Sequence, residues 1–198
     1  MHALIVVSHP VKTSLTHSVA AAVARGITDA NRENSVEIAD LAQEGFNPAF
    51  SAPDYDAFQR TAALPPDVVA EQARIDNADA LVLVYPVYWW SMPGMLKGWI
   101  DRVFANGWAY EERSDGRIVK KLTRLPVHLI GLGGAGQGTY EKHGYSAAMR
   151  TQIDHGIFDY CGAPVVTSEV LFVPDLEAPE ASLALAQETG RRIFTARL

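Results

Sequence analysis

The sequence predicts an α/β domain in which helices cover both faces of a doubly wound parallel sheet. Three apolar runs, at residues 4–7, 80–85 and 126–132, have the length of strands and carry few polar side chains. Such runs are typical of parallel strands that are buried on both faces. A loop and then a segment with helical periodicity follow each run, and this alternation indicates repeated strand–helix–strand units.

The first third of the chain supplies two strands and one helix. Residues 4–7 form the first strand, and Thr13 or Ser14 can cap the helix that follows, in which apolar residues recur every four positions. An alternating pattern at residues 36–38 predicts a shorter second strand. Residues 42–66 show no sustained period, so we expect a long loop with a functional or interface duty.

The rest of the chain continues the alternation of helices and strands. A helix begins at Pro65–Asp67, because proline is pre-organised for the first turn and an acidic residue favours the positive end of the helix dipole. This helix extends to about Asn77 and is followed by strand 80–85 and a helix with an apolar stripe from Leu96 to Phe104. Strand 126–132 and a helix through Ile153 and Ile157 to Gly162 come next. Strand 164–173 and a last helix, from about Pro179 with Arg197 near its end, complete the order. Five strands in this order predict one domain over residues 1–198 with right-handed crossovers.

The composition argues against several kinds of partner. A formal net charge of −6 and a pI near 5.5 give no general affinity for nucleic acid or anionic lipid. Cys161 is the only cysteine, so we expect no intrachain disulfide and no cysteine-based metal cluster, and a reducing, cytoplasmic location fits. The apolar start of the chain is too short for a signal sequence, and Pro86 interrupts the run at residues 80–90. We therefore expect neither a metal site nor a transmembrane segment.

The loop at residues 8–16 is the first place where this fold class binds ligands, beyond the carboxyl end of a strand. It runs into a helix N-terminus and is rich in hydroxyl groups, so its backbone N–H groups, aided by Ser14 and Thr16, suit a phosphate. It carries neither the glycine motif of dinucleotide-binding folds nor the lysine motif of P-loops. Simple helix capping by Thr13 or Ser14 is the alternative interpretation.

The loop at residues 86–94 places aromatic side chains between prolines at the end of a buried strand. This arrangement predicts a rigid wall on which a flat ring can stack. The alternative is that Trp89 and Trp90 are core or dimer-interface residues. A third loop, at residues 131–138, is rich in glycine and allows close backbone approach. Tyr140 and His143 follow it as candidate donors of protons or hydrogen bonds, although such residues in a surface loop are more often structural.

With these loops, the chain resembles the flavodoxin-fold NAD(P)H:quinone reductase family, which includes mammalian DT-diaphorase and shorter bacterial NAD(P)H oxidoreductases. The resemblance is most specific at residues 85–99, which read YPVYWWSMPGMLKGW, and at the following DRVF of residues 101–104. It also covers residues 66–72 and 78–82, and extends over most of the chain up to residues 160–162. The resemblance implies a five-stranded parallel sheet of order 2-1-3-4-5 in a flavodoxin-like fold.

The same resemblance implies the site. Residues that correspond to the family's flavin-phosphate contacts are His9, Ser14, Leu15 and Thr16. Residues that would line the isoalloxazine ring are Pro86, Val87, Tyr88, Trp89, Trp90, Gly133 and Gly134. Tyr140 and His143 match the tyrosine and histidine that stabilise charge on the reduced flavin, and they are the catalytic candidates. Trp90 and Tyr110 are the substrate-pocket candidates, and Tyr110 matches an aromatic that the family places at the active site of the partner subunit.

The resemblance implies an enzyme that reduces quinones or similar small aromatic acceptors with a hydride from NAD(P)H, in a ping-pong cycle and as a homodimer. FAD is the first choice of cofactor and FMN the second. The chain lacks the C-terminal extension of the mammalian enzymes, which leaves the choice between the two flavins open. The chain departs from the mammalian pattern of the family at two places. Its glycine loop has one residue more before Tyr140, and Leu132 stands in place of a threonine. The alternatives are an ancillary flavoprotein that regulates a potassium efflux system in the membrane and, with less support from the aromatic wall, a one-electron flavodoxin-type carrier.

Overall fold

A computed structural model describes residues 1–175 and 178–195 of the chain. Its strands are β1 His2–Val7, β2 Ser35–Asp40, β3 Ala80–Pro86, β4 Tyr110–Glu112, β5 Ile118–Lys120, β6 Val127–Gly133 and β7 Val165–Phe172. Its α-helices are α1 Leu15–Ala30, α2 Ala52–Phe58, α3 Pro66–Asp76, α4 Gly94–Val103, α5 Gln137–His143, α6 Tyr145–Met149 and α7 Pro179–Arg192. A π-helical segment, Arg150–Asp159, continues α6, and a short 3₁₀ turn, Val173–Asp175, follows β7.

Five of these strands form one parallel sheet of order β2-β1-β3-β6-β7. This order is the 2-1-3-4-5 order expected from the sequence, so the prediction of a flavodoxin-like doubly wound sheet is confirmed. The chain leaves β1 toward β2 on one side and then crosses to β3 on the other. The loops after β1 and β3 therefore flank the point where the strand order reverses, which is the ligand-binding crevice of such sheets.

Two apolar layers hold the helices on opposite faces of the sheet. Alternate residues of β1 point to the two faces, so Ile5 packs in the layer beneath α1 and α7, whereas Leu4 packs in the other layer. The second layer contains the fully buried Trp99 of α4 and Phe158 of the π-helical segment. Burial on both faces explains why β1 and β3 read as continuous apolar runs.

The helices α1 and α7 approach each other closely through two glycines. A Cβ atom built on Gly190 would lie 2.2 Å from the carbonyl oxygen of Val23. A Cβ built on Gly26 would collide in the same way with the backbone of α7, at Gln187 and Arg191. Both positions therefore require glycine because backbone atoms occupy the space of a side chain.

The structure corrects the sequence interpretation at three places. The segment 42–66 is not one long loop, because it contains α2, which begins with a capping box between Ser51 and Asp54. The β4–β5 hairpin was not predicted from the sequence. The single helix expected before Gly162 is divided at Gly144, which ends α5 with a φ of 72°. Arg197, expected near the end of the last helix, lies outside the described residues.

Candidate active site at the carboxyl edge of the sheet

The loops after β1, β3 and β6 meet at one edge of the sheet. Val7 is paired with Val84, and Pro86 with Leu132, so the three strands end side by side. The backbone N–H of Val87 then donates to the carbonyl oxygen of Leu132 over 2.9 Å, which ties the second loop to the end of β6. The three loops singled out from the sequence therefore form one surface.

The first loop ends at the N-terminus of α1. Ser14 is the N-cap residue, and its hydroxyl oxygen accepts a hydrogen bond from the backbone N–H of His17. Thr16 is buried, Leu15 packs against the layer beneath α1, and the backbone N–H of Val11 donates to the Nδ1 atom of His9 over 3.0 Å. A hydrogen-bonded loop at the positive end of a sixteen-residue helix suits an anionic group.

The second loop makes a tight turn with two tryptophans at its centre. Tyr88 and Ser91 exchange backbone hydrogen bonds of 3.0 and 3.1 Å. Between them, Trp89 and Trp90 have φ values of 50° and 59°, the left-handed region that both central residues of a type I′ turn occupy. Bulky residues adopt this region at a cost of about 1–3 kcal/mol each, and such strain concentrates at functional sites. The turn leaves Trp89 93% exposed.

Trp90 lies at the centre of an aromatic cluster. Its ring stacks on that of Tyr145 with centroids 3.8 Å apart and planes 12° apart. It meets the ring of Tyr140 edge-on at 5.2 Å, and Tyr140 in turn meets Phe172 at 4.9 Å. A cavity of about 240 Å³ lies beside this cluster, and its lining residues are Val87, Trp89, Trp90, Gly134, Ala135 and Tyr140.

The two glycines at the end of β6 have different surroundings. A Cβ on Gly133 would lie 3.0 Å from the hydroxyl oxygen of Tyr140 and 3.0 Å from Val170, so this glycine makes room for the tyrosine. Gly134 is exposed and a Cβ there would meet nothing within 4 Å. Its backbone is therefore accessible from the cavity that it lines.

The two catalytic candidates occupy different environments. Tyr140 is 1% exposed, and burial raises the pKa of its phenol, so the group stays protonated at neutral pH and is able to donate a hydrogen bond. His143 is exposed at the end of α5 and stacks on Tyr145 with ring centroids 5.3 Å apart. The structure thus brings Tyr140 against Trp90, whereas His143 reaches the cluster only through Tyr145.

Tyr110 lies apart from this cavity within one chain. It lies in β4, where its ring meets that of Tyr160 at 5.2 Å. Both residues line a separate cavity of about 460 Å³ that α2 borders. The exposed aromatic side chains Tyr55 and Phe58 of α2 line the same cavity.

Three residues at this edge of the sheet were not predicted from the sequence, namely Tyr145, His17 and Asp40. Tyr145 stacks on Trp90. In the sequence, only its position two residues after His143 indicates that it lies near the site. His17 lies with its Nδ1 atom 2.8 Å from the hydroxyl oxygen of Ser14 and its Nε2 atom 2.8 Å from a carboxylate oxygen of Asp40. The spacing of three residues between Ser14 and His17 on a helix could have indicated their contact.

The described residues contain neither a candidate metal centre nor a candidate membrane-spanning helix. Within residues 1–175 and 178–195, no group of three or more histidine, cysteine, aspartate or glutamate side chains is placed to hold a metal ion. Among the helices in these ranges, none has both the length and the apolar character needed to cross a bilayer.

Comparisons with known proteins give concordant matches. The model of a family described as having a flavodoxin-like fold matches residues 1–192. An uncharacterized NAD(P)H oxidoreductase of Haemophilus influenzae is 30% identical over 100% of this chain and 98% of its own length. The NAD(P)H dehydrogenase [quinone] 1 of Rattus norvegicus is 28% identical over 98% of this chain and 76% of its own. Among solved structures, an NAD(P)H:quinone oxidoreductase from Methanothermobacter marburgensis superposes with a TM-score of 0.87 at 29% identity, covering 96% of this chain and 98% of its own.

Proposed function

The chain belongs to the family of flavodoxin-like fold proteins, and from this premise we propose that it is a flavin-dependent NAD(P)H oxidoreductase that reduces quinones or similar small aromatic acceptors by two electrons. The observation that carries the proposal is the strained turn of Trp89 and Trp90 beside Gly134 and Tyr140. Two bulky residues held at positive φ present flat aromatic surface at the ligand-binding edge of the sheet. The names of the relatives from Haemophilus influenzae and Rattus norvegicus support the same class of reaction.

The residues at this edge fit a flavin. His9, Ser14, Leu15 and Thr16 surround the N-terminus of α1 and would hold the phosphate end of the cofactor. The isoalloxazine ring would lie against the 86–90 turn and the backbone of Gly133 and Gly134. The open space at Gly134 supports this placement, because a side chain there would project from the edge that the ring approaches. FAD is the first cofactor to test and FMN the second.

The bound flavin would supply the chemistry of accepting and donating a hydride. The protein's own contribution begins with Tyr140, whose buried phenol would donate a hydrogen bond to a negatively charged group held beside Trp90. His143 is exposed, and its proposed role is to deliver a proton to the site. Exposed Trp89 closes one side of a pocket that NAD(P)H and the acceptor would occupy in turn, in a ping-pong order.

A homodimer is part of the proposal. Tyr110, Tyr160, Tyr55 and Phe58 line an apolar cavity of about 460 Å³, and all but Tyr110 rank among the exposed large hydrophobic residues. An exposed apolar patch of this kind is typical of a surface that another chain covers. Covering by a second copy would bring the partner's aromatic residues to a site that each chain leaves open. The expected result of analytical ultracentrifugation is the mass of a dimer, and a fully active monomer would contradict it.

The first test is the absorbance spectrum of the purified protein before and after anaerobic NADH or NADPH. A flavin spectrum that the nucleotide bleaches, and that a quinone restores, supports the proposal and identifies the cofactor by its mass. Flavin that binds but is not reduced would favour a regulatory protein of a membrane transporter or a one-electron carrier. Failure of both FAD and FMN to bind would refute the proposal.

The roles of Tyr140 and His143 have a separate test. Tyr140→Phe removes the hydroxyl group and keeps the ring that packs on Trp90, so the fold should be preserved. We expect slower flavin reduction in stopped-flow measurements for Tyr140→Phe and for the double variant with His143→Gln. Loss of one hydrogen-bond donor of this kind costs about 10²–10³ in rate when it acts in the transition state. An unchanged rate in the double variant would remove both residues from the mechanism.

A further inference from the structure

Ser14, His17 and Asp40 form one hydrogen-bonded chain at the amino end of α1. The hydroxyl oxygen of Ser14 lies 2.8 Å from Nδ1 of His17, and Nε2 of His17 lies 2.8 Å from Oδ2 of Asp40. The side chains of His17 and Asp40 are each only 16% exposed. Asp40 is the last residue of β2, so it approaches the imidazole from the strand beside β1. The chain therefore links the N-cap of α1 to the sheet.

The hydrogen-bonding capacity of these groups decides which atom carries each proton. A carboxylate only accepts, so Nε2 of His17 must donate to Asp40. In a neutral imidazole the other nitrogen is then an acceptor, and the hydroxyl of Ser14 must donate to Nδ1. The same hydroxyl oxygen accepts the backbone N–H of His17 at 3.4 Å. Only one lone pair of Ser14 is left to face outward, and a lone pair repels a phosphate.

Protonation of His17 reverses the direction of the bond to Ser14. When both ring nitrogens carry hydrogen, Nδ1 donates to the oxygen of Ser14, which then accepts two hydrogen bonds and still holds its own hydrogen. That hydrogen is now free to point outward as a donor. The same event places a positive charge beside the amino end of α1, which strengthens the attraction for an anion.

We propose that His17 is a positioning residue that couples the binding of the flavin phosphate group to the uptake of one proton, through the orientation of the Ser14 hydroxyl. This inference rests on the proposed function, because it requires a flavin phosphate at the amino end of α1. Among the residues that the structure describes, the titratable groups recorded beside the imidazole are Asp40 from β2 and His9 from the loop after β1, whose ring centroid lies 6.2 Å away. Because the form of His17 that carries both ring hydrogens favours an anion at the amino end of α1, flavin affinity rises as the pH falls.

The test is a fluorescence titration of the flavin-free protein with FAD at pH 8, 7 and 6. FAD is the suitable probe because its diphosphate keeps its charge in this range, whereas a phosphate monoester such as that of FMN protonates near pH 6. We expect wild-type protein to bind FAD about tenfold more tightly at pH 6 than at pH 8, the gain expected from one hydrogen bond to a charged group. His17→Gln should bind with the same Kd at all three values.

The matched control is His155→Gln, which removes an exposed histidine of the π-helical segment and should keep the wild-type pH dependence. Riboflavin, which lacks the phosphate, should bind without this pH dependence. An equal pH dependence in wild type and His17→Gln would overturn the proposal. A wild-type Kd that does not change with pH would also overturn the proposal.

Calorimetry of the wild-type protein gives a second measurement that does not depend on the folding of a variant. FAD binding at pH 7 is followed in two buffers with different ionisation enthalpies, and the difference reports the protons taken up. We expect net uptake, and a value of zero contradicts the coupling. Flavin that binds without proton uptake refutes this inference alone, whereas failure of FAD and FMN to bind at any pH refutes the proposed function with it.

Discussion

Replacing Trp89 by glycine should make the protein more stable than replacing it by alanine. Trp89 has a φ of 50° and is 93% exposed, so either substitution removes a side chain that buries little surface in the free protein. What differs between the two variants is the Cβ atom. Alanine keeps the steric clash of the left-handed conformation, whereas glycine removes it.

The magnitude follows from two opposing effects at this position. The left-handed conformation costs a residue with a Cβ about 1–2 kcal/mol. Glycine also has greater conformational freedom in the unfolded chain, which lowers the free energy of unfolding by about 0.4–1 kcal/mol. Trp89→Gly should therefore exceed Trp89→Ala by about 0.5–1 kcal/mol in the free energy of unfolding. At an ordinary position in a helix or strand the order is reversed by a similar amount, so the sign of the difference is diagnostic.

The assay is urea unfolding of the flavin-free variants, followed by circular dichroism and compared at equal m-values. The matched control is Val69, an exposed residue of α3, where alanine should be more stable than glycine by about 1 kcal/mol. If alanine is the more stable residue at position 89 as well, the turn is not strained in the free protein. In that case the turn of Trp89 and Trp90 no longer supports the proposed function.

Three further predictions concern the fold that holds the site. Burial lowers the pKa of His128 to about 4. As the pH falls from about 6.5 to 4, the unfolded chain therefore binds a proton at this residue before the folded chain does, and the free energy of unfolding decreases in that range. Wild type should lose about 2 kcal/mol more than His128→Leu between pH 7 and 4.5 in urea unfolding, and equal losses would contradict the burial argument. Gly190→Ala should lower the free energy of unfolding by about 1–3 kcal/mol, because the new Cβ would lie 2.2 Å from the carbonyl oxygen of Val23. The expected observation is a lower Tm, and an unchanged Tm would mean that α1 and α7 separate freely. Arg102→Ala removes the guanidinium group that lies 2.9 Å from the buried carboxylate of Asp54, which then keeps only its hydrogen bonds from Ser51, and should cost about 3–5 kcal/mol in urea unfolding. A loss below 1 kcal/mol would show that solvent reaches Asp54.

Local patterns were sufficient to predict the sheet and the three loops. The apolar runs of β1, β3 and β6 reflect burial on both faces, and the order of helices and strands follows from the same alternation. The aromatic turn at residues 86–90 was predicted as a rigid wall because its composition is unusual. The positive φ values of Trp89 and Trp90 were not predicted, because nothing in their residue types favours that region.

The missed elements depend on contacts between distant parts of the chain. α2 is only seven residues long, and its Asp54 pairs with Arg102, which lies 48 residues further along. A helix of this length has little stability of its own and needs such tertiary contacts to form. The short β4–β5 hairpin has strands of three residues each, which is too few for a periodic pattern to be recognised.

The sequence by itself determined the fold class, the strand order through the family resemblance, and the edge of the sheet that carries the candidate site. Only the tertiary structure decided which side chains meet at that edge. His17 meets Asp40 because β2 pairs in register beside β1, and Tyr145 stacks on Trp90 because Gly144 turns the chain between two helices. The physical reason is that a sequence pattern records how deeply each residue is buried, whereas a hydrogen bond or a ring stack depends on the relative positions of separate elements.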